Sequence, residues 1–381
     1  MNKTIIKKFG LFAASFALSL IAVLAGSKLY ANLLGIHDSS FRYENQLNMW
    51  RSEPTIGFLN KPNFSSFCFG DVRVGTNERG FCGTRPSPFA KTIGVLRIVG
   101  LGDSVMWGTG VNEENSILGF LEKKLNNESL YEVINAGVVG YSTYQELLYL
   151  KKYVIPLKPG VVLVNYSEND LLPTEDPFKN VRRIYIRYLN HLLESHHLAL
   201  TPEEKLGIKE LIRIFNTAKY VWFTLHGLQA KSPIWLHLTR KVFVEIPMAR
   251  MAELSQEAGV RLIYVFIPPK KKSAIYARTV DELKKLLVEK GAEFVDVQSA
   301  LTPDKNEFTK KGRTSDSRLA WVWPRELKRI LKLRSIQTVH RRDKFIDSVH
   351  PTRKGNAIIA EHIYRYLTET SNLKETECLN R

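Results

Sequence analysis

From about residue 95 onward, short apolar runs alternate with stretches in which apolar residues recur at every third or fourth position. Five of these runs have the length and composition of buried strands, and they fall at 95–101, 132–135, 161–165, 261–267 and 293–297. Four periodic stretches predict helices, at 116–125, 143–153, 280–290 and 352–367. Strands that alternate with helices predict an α/β fold, a doubly wound, mostly parallel five-stranded sheet with helices on both faces.

The segment from about 178 to 255 interrupts this alternation. It has a helical pattern and is rich in basic and aromatic residues, so it is interpreted as an inserted helical subdomain. Trp222, Phe223 and Trp235 in this segment are interpreted as core residues of the insert, with contact at a membrane interface as the alternative.

A second irregular stretch runs from about 302 to 344 and contains Trp321 and Trp323. A loop this long inside a compact domain is usually functional and often forms a lid. The two tryptophans are expected either to line an acyl or sugar pocket or to hold the loop in place.

The beginning of the chain has the pattern of an export signal. Lys3, Lys7 and Lys8 precede an uncharged run from Phe9 to Ser27, which is about long enough to cross a bilayer as a helix. Positive charge before such a run predicts that the N-terminus stays inside and that the rest of the chain lies outside. A cleaved signal peptide is the competing interpretation, but the length of the run favours an anchor.

These patterns divide the chain into five parts. In order, they are a cytoplasmic N-terminus at 1–8, a transmembrane anchor or signal segment at 9–31, an extracytoplasmic lead-in at 32–92, the main domain at 93–370 and a C-terminal tail at 371–381. The predicted location is membrane-anchored, on the periplasmic or cell-surface side, with secretion after signal cleavage as the alternative.

Composition narrows the classes of partner. The 381 residues are 44% hydrophobic, which supports a packed core rather than disorder. The net charge of +17 can indicate nucleic acid, an acidic membrane surface or an anionic substrate. Because the basic residues are spread along the chain without a nucleic-acid-binding motif, no nucleic-acid partner is expected. Cys68 and Cys82 are close enough to form a disulfide in an oxidising compartment, or they are two small buried hydrophobes.

Neither a cofactor nor a metal is expected. Gly100-Leu101-Gly102 begins like a dinucleotide fingerprint, but Val105 stands where the third glycine is needed. His191, His196 and His197 do not share one helical face, as metal ligands on a helix would.

Polar clusters follow the predicted strands at the points where the strands end. They are Gly102-Asp103-Ser104, Asn135 to Ser142, Ser167 to Asp170 and, before the last helix, Asp347 to Pro351. Because ligands of parallel sheets bind at the carboxyl ends of the strands, these four clusters are expected to gather into one site.

The residue types in these clusters suit acyl transfer. A serine hydroxyl needs a base to become nucleophilic, and we expect His350 to be that base for Ser104, with Asp347 orienting the imidazole. Attack on an acyl carbonyl builds negative charge on oxygen, which needs donors fixed in advance. The backbone N–H groups of Ser104 and Gly140 and the side-chain amide of Asn169 are the predicted oxyanion hole.

These residues make the chain resemble the SGNH/GDSL hydrolase superfamily. The four name-giving residues of the superfamily correspond here to Ser104, Gly140, Asn169 and His350, over about residues 95–370. One departure is that Ser167 stands in place of the first glycine of the Gly-x-Asn-Asp turn. The lead-in segment Thr76 to Phe81 also resembles that of membrane-anchored envelope members.

The resemblance implies an SGNH hydrolase-like fold and a Ser-His-Asp triad. The expected function is a serine ester hydrolase that works through an acyl-enzyme and removes acyl groups, such as O-acetyl, from an envelope glycan or lipid. An acyltransferase that modifies an envelope polysaccharide with the same triad is the alternative, because water exclusion decides between the two. A non-catalytic glycan-binding protein on this scaffold is less favoured, since the triad residues are all present. The expected partners are the acyl-ester substrate and the membrane, contacted through the N-terminal segment.

Overall fold

The computed structural model of the chain describes residues 48–68, 72–86, 91, 93–126, 131–173, 180–196, 198–270, 274–301, 344–346 and 349–370. The predicted anchor at 9–31, nearly all of the predicted loop at 302–344 and the tail at 371–381 lie outside these residues. In the described part of the chain, no helix combines the length and the apolar character needed to cross a bilayer.

Five parallel strands form the central sheet, as the alternating pattern predicts. They are β5 (Leu96–Gly102), β6 (Tyr131–Gly137), β7 (Val161–Tyr166), β8 (Arg261–Phe266) and β9 (Glu293–Asp296). Their order across the sheet is β6-β5-β7-β8-β9, so β5 lies between β6 and β7. The chain therefore reverses its direction of winding next to β5, at the point where parallel sheets of this kind bind their ligands.

Helices cover both faces of this sheet. Those of the main domain are α1 (Ser104–Trp107), α2 (Ile117–Leu125), α3 (Thr143–Tyr149), α9 (Ala274–Glu289), α10 (Gln298–Leu301) and α11 (Arg353–Thr370). Successive residues of a strand point to opposite faces, and the core divides accordingly. Ile98 packs with α2 and α11 in one buried cluster, whereas Val99 packs with α3 and α9 in the other.

The segment predicted as an insert is helical. It contains α4 (Asn180–Glu194), α5 (Pro202–Thr217), α6 (Val221–Lys231), α7 (Pro233–Arg240) and α8 (Ile246–Glu257). Trp222 and Trp235 are half-buried against its core. The interpretation of Phe223 as a core residue is wrong, because its position on the outer face of α6 leaves it 68% exposed.

Two antiparallel hairpins precede the sheet. They pair β1 (Trp50–Glu53) with β2 (Gly57–Asn60) and β3 (Ser65–Cys68) with β4 (Val72–Gly75). The turn that follows them needs glycine at Gly80, because its φ is 83° and an added Cβ would lie 2.6 Å from the Asn60 carbonyl oxygen.

Cys82 is a free cysteine, so the predicted Cys68–Cys82 disulfide is wrong. The Sγ atom lies 3.6 Å from the carbonyl oxygen of Trp107 in α1, and the Cys82 backbone N–H donates to the Asn135 carbonyl. The thiol is therefore directed at the end of α1, the helix that begins at Ser104. Burial there raises its pKa, which keeps it in the unreactive thiol form.

Candidate active site

Ser104 begins α1 directly after strand β5 ends. Asp103 is the N-cap of this short helix, and its carboxylate accepts a hydrogen bond from the Val105 N–H at 2.9 Å. Gly102 has to be glycine, because a Cβ at this position would overlap with the side-chain oxygen of Asn165 on β7. This tight turn leaves Ser104 at the carboxyl edge of the sheet with 9% of its surface exposed.

His350 reaches Ser104 from the segment before α11. Two backbone hydrogen bonds close this segment, from Ile346 N–H to the His350 carbonyl at 2.7 Å and from Thr352 N–H to the Lys344 carbonyl at 2.9 Å. They hold the imidazole so that Nε2 lies 2.8 Å from Oγ of Ser104, although the two residues are 246 positions apart in sequence. This is hydrogen-bonding distance for a serine and its base. Asp347 lies outside the described residues, so its orienting role stays a prediction.

The turn after β6 presents the Gly140 N–H. Gly140 has φ of 86°, a conformation that favours glycine, and the turn is fixed by hydrogen bonds from Val138 N–H to Gly102 O and from Tyr141 N–H to Val138 O. Within the described ranges, neither the Gly140 N–H nor the Ser104 N–H at the start of α1 donates to another protein group. Both donors are available to an external acceptor.

The Asn169 side chain is held by the residue that precedes the serine. Its Nδ2 donates to Oδ2 of Asp103 at 2.7 Å, while Asn165 Nδ2 donates to Oδ1 at 2.9 Å. An amide nitrogen carries two hydrogens, so one N–H of Asn169 remains for a substrate. Asn169 does not cap the helical turn Glu168–Leu171, because that N-cap is Ser167.

Ser167, the departure from the superfamily pattern, has a structural role. It is 1% exposed, its N–H donates to the Asp170 carboxylate at 2.7 Å, and its hydroxyl accepts from Asn165 Nδ2 at 3.2 Å. The serine therefore closes the turn that carries Asn169, which explains how this position tolerates a residue other than glycine.

Three carboxyl groups are buried together behind the site. Asp103, Glu146 and Asp170 are each at most 1% exposed. Burial raises the pKa of Glu146 well above its usual range, and the charge of Asp103 raises it further. Burial likewise raises the pKa of Asp170, followed by the charges of Glu146 and Asp103. Glu146 and Asp170 therefore resist ionisation, while three N–H donors meet the carboxylate of Asp103.

The first hairpin supports the turn that carries Gly140. Asn60 Nδ2 donates at 3.1 Å to the carbonyl of Gly137, and the Tyr141 hydroxyl donates at 2.6 Å to the carbonyl of Phe58. Gln145 Nε2 donates at 2.9 Å to the carbonyl of Ile56. Three hydrogen bonds thus tie strand β2 and the residue before it to the segment on either side of Gly140.

The structure brings Ser104, Gly140, Asn169 and His350 to one edge of the sheet, as their positions after strand ends predict. Sequence reasoning missed Asn165, Glu146 and the contribution of Asn60. Asn165 had a usable signal, since it is a polar residue at the end of an otherwise apolar strand. Among the residues that the structure describes, no group of three or more metal-ligating side chains is placed to hold a metal ion.

Comparison with known proteins assigns the chain to a protein family. Residues 101–358, which include Ser104 and His350, match the model of the GDSL-like Lipase/Acylhydrolase family. No curated protein matches the sequence.

Several solved structures resemble the chain at low sequence identity. A GDSL-like lipase from Bacteroides thetaiotaomicron is 14% identical, with 72% of this chain and 89% of that chain covered and a TM-score of 0.35. A catalytic mutant of an acetylxylan esterase from Geobacillus stearothermophilus is 16% identical, with 72% of this chain and 95% of that chain covered and a TM-score of 0.36. A psychrotrophic esterase from Pseudoalteromonas sp. is 12% identical, with 72% of this chain and 97% of that chain covered and a TM-score of 0.35.

Proposed function

The chain belongs to the GDSL-like lipase/acylhydrolase family and is a serine hydrolase of this type, and on that premise we propose that it cleaves acyl esters through an acyl-enzyme on Ser104. The observation that carries the proposal is the 2.8 Å contact between Ser104 Oγ and His350 Nε2. The proposed triad is completed by Asp347, three residues before the histidine.

In the first step, Ser104 Oγ attacks the carbonyl carbon of the ester while His350 Nε2 takes the hydroxyl proton. The carbonyl oxygen becomes an oxyanion, which the N–H groups of Ser104, Gly140 and the Asn169 side chain stabilise. The tetrahedral intermediate then expels the alcohol, which leaves with the proton from His350. An acyl group remains bound to Ser104.

In the second step, an acceptor hydroxyl attacks the carbonyl carbon of the acyl-enzyme and gives its proton to His350. The second tetrahedral intermediate then expels Ser104 Oγ, which takes this proton from His350, and the acyl group leaves with the acceptor. Water as the acceptor gives an esterase. A sugar hydroxyl as the acceptor gives an acyltransferase, the alternative function, with the same protein groups in the same roles. Exclusion of water from the acyl-enzyme would decide between them.

The substrate class follows from the predicted location. Three lysines before the apolar run at 9–31 support an N-terminal anchor, with the catalytic residues outside the cytoplasm. Acyl esters within reach of such an enzyme are O-acyl groups of envelope glycans or lipids. A net charge of +17 also favours an anionic polymer or lipid surface over a neutral one.

Turnover of short-chain aryl esters tests the proposal. The unchanged protein should release the aryl alcohol, and Ser104→Ala should not. Ser232→Ala is the matched control, because Ser232 immediately precedes α7 in the insert and its side chain makes no capping hydrogen bond. Release that persists in Ser104→Ala would refute the assignment of the nucleophile.

Addition of sugar acceptors separates the two acceptor classes. If water is the acceptor, acid production should match aryl alcohol release whether or not sugar is present. If a sugar is the acceptor, sugar ester should form at the expense of acid. A folded protein that turns over no ester but retains an envelope glycan would favour the glycan-binding alternative.

A further inference from the structure

The outer surface of the helical insert carries an aromatic patch, which we define as Tyr220, Trp222, Phe223, His226 and Ile234. We propose that this patch docks onto the surface of a bilayer that contains anionic lipids. The proposal goes beyond the proposed chemistry, because it assigns a second membrane contact to the insert, apart from the N-terminal segment.

The members of the patch on and beside α6 form one continuous surface. The rings of Tyr220 and Phe223 are 6.2 Å apart, those of Trp222 and Phe223 are 5.1 Å apart, and His226 stacks on Trp222 at 4.9 Å. Phe223 is 68% exposed and Tyr220 is 49% exposed. Ile234 on the adjoining helix α7 is 77% exposed. Exposed aromatic rings of this kind are typical of the membrane–water interface, where an apolar body and a polar edge are both accommodated.

The exposed side chains of the patch on α6 and α7 carry no acidic group. In α6, the buried residues Val221 and Leu225 lie on the inner face, and the exposed residues of the outer face are Phe223, Thr224, His226 and Ala230. Phe223 and Ala230 therefore place apolar side chains on an outer face that has no protein to pack against in the described part of the chain. An exposed cluster of aromatic side chains of this kind marks a contact surface for a partner with apolar groups.

The basic residues beside the patch indicate a negatively charged partner. The segment from 211 to 244 contains five lysines and arginines and no aspartate or glutamate. Carboxylates outside the segment pair with three of them, Arg213, Arg240 and Lys241, which leaves Lys219 and Lys231 beside the patch. Lys219 lies two residues before α6 and Lys231 is its last residue, and no carboxylate in the described ranges pairs with either. The Lys219 ammonium lies over the Tyr220 ring, 5.1 Å from its centre, so a positive charge borders the patch.

A bilayer with anionic headgroups fits these features better than a second copy of the chain. Two copies that meet through this face would bring Lys219 and Lys231 of both molecules together without acidic partners. Anionic headgroups would neutralise the lysines, and the zone below the headgroups would take up Phe223 and Ile234. The predicted insertion of residues 9–31 would hold such a bilayer within reach of the insert.

Gly227 allows the charge of the patch to be changed without disturbing the fold. It lies on α6 between His226 and Leu228, and an added Cβ would meet no atom within 4 Å. Gly227→Lys and Gly227→Glu therefore add opposite charges to the patch, and Gly227→Ala controls for the loss of glycine. The full chain with each change is placed in phosphatidylcholine nanodiscs, with or without phosphatidylglycerol. Amide hydrogen exchange of 219–236 is measured by mass spectrometry, with α11 as the internal reference.

Docking predicts slower exchange of 219–236 in the anionic discs, in the order Lys, Ala, Glu from most to least protected. Each basic charge near an anionic surface changes the docked population about fivefold, so the Lys and Glu variants should differ roughly 30-fold in protection. Exchange of α11, which packs on the opposite face of the sheet, should not change. Equal exchange for all three variants in both lipids would overturn the proposal. Protection that ignores the lipid and rises with the number of chains per disc would also overturn it and would indicate a second copy.

Failure of the chain to enter nanodiscs would overturn the N-terminal anchor rather than the patch. Sedimentation of the same three variants with anionic vesicles then tests the patch alone. Binding in the order Lys, Ala, Glu supports the proposal, and equal binding refutes it.

Discussion

The side-chain amide of Asn169 donates a hydrogen bond to the carboxylate of Asp103 at 2.7 Å, so the residue before Ser104 orients a donor that lies 66 positions away in sequence. The same carboxylate receives N–H groups from Val105 and Asn165. Because Asp103 is fully buried, these bonds fix the amide of Asn169 before any substrate binds. A donor fixed in advance is the arrangement that stabilises a developing oxyanion most.

We therefore expect Asn169→Ala to lower kcat by about 10²–10³ with little change in KM, because the lost hydrogen bond is strongest in the transition state. Steady-state kinetics with an aryl ester measure both constants, and a melting curve on the same protein is the control. A residue that merely capped a helical turn would cost ~1 kcal/mol of stability and leave kcat nearly unchanged. That second result would mean that Asn169 is misassigned, and since Ser167 is the N-cap, the structure already argues against it.

Ser104→Ala and His350→Ala should each abolish most of the turnover, and the double variant should be little worse than either single one. The reason is that nucleophile and base act as one unit, so the loss of the first removes the use of the second. The kcat values of the three variants, measured on one ester, decide this. Losses that multiply in the double variant would indicate two independent contributions and would argue against a shared role.

Glu146→Gln should change how stability depends on pH. The pKa of Glu146 is raised in the folded protein, so its stabilising contribution is fully present below its unfolded pKa and is lost as pH rises towards the folded pKa. Glutamine has no such loss. The free energy of unfolding of the variant relative to the unchanged protein should therefore increase with pH, by up to about 1.4 kcal/mol per pH unit.

Urea unfolding at several values between about pH 5 and about pH 8 measures this difference. Glu289→Gln on α9 makes the same chemical change at an exposed position and controls for the removal of a charge as such. A difference that stays constant over this range would show that Glu146 ionises as readily in the folded protein as in the unfolded chain.

The topology makes a separate prediction. An alkaline phosphatase domain fused after residue 95 should be active, because three lysines before the apolar run hold the N-terminus inside and send the following residues out. A green fluorescent protein fused at the same point should not fluoresce. The reverse pair of results would place the lead-in in the cytoplasm and would remove the basis for an envelope substrate.

The five strands were predictable because buried parallel strands are almost continuously apolar. The predicted run 161–165 became Val161–Tyr166, and 261–267 became Arg261–Phe266, each within one residue. The helix predicted at 280–290 begins earlier, at Ala274. Its first turns contain Ile275, Tyr276 and Thr279, which are weak helix formers, so packing rather than local preference extends it.

The identities of the site residues were predictable from the sequence, but the hydrogen bonds between them were not. Ser104 and His350 carry recognisable local patterns, whereas the bond between Asn169 and Asp103 depends on how β5 and β7 pair. In the lead-in, the sequence predicts a strand-like piece at 72–74, which lies in β4, but it does not predict how the hairpins pair. Their strands have four residues each, too few for periodicity to identify, and they are stabilised by partners elsewhere in the chain.

The contacts of Asn60, Phe58 and Ile56 with the segment around Gly140 bear on where an expressible enzyme begins. Residues 101–358 define the family match, yet a fragment cut there would lose the donor to the Gly137 carbonyl and two acceptors for Tyr141 and Gln145. It would also uncover the side chains that pack against Ile56 and Phe58, both at most 2% exposed in the intact chain. The minimal folding unit is therefore larger than the segment that matches the family. The hairpin residues before that segment belong to the folded enzyme and are not a linker that could be removed.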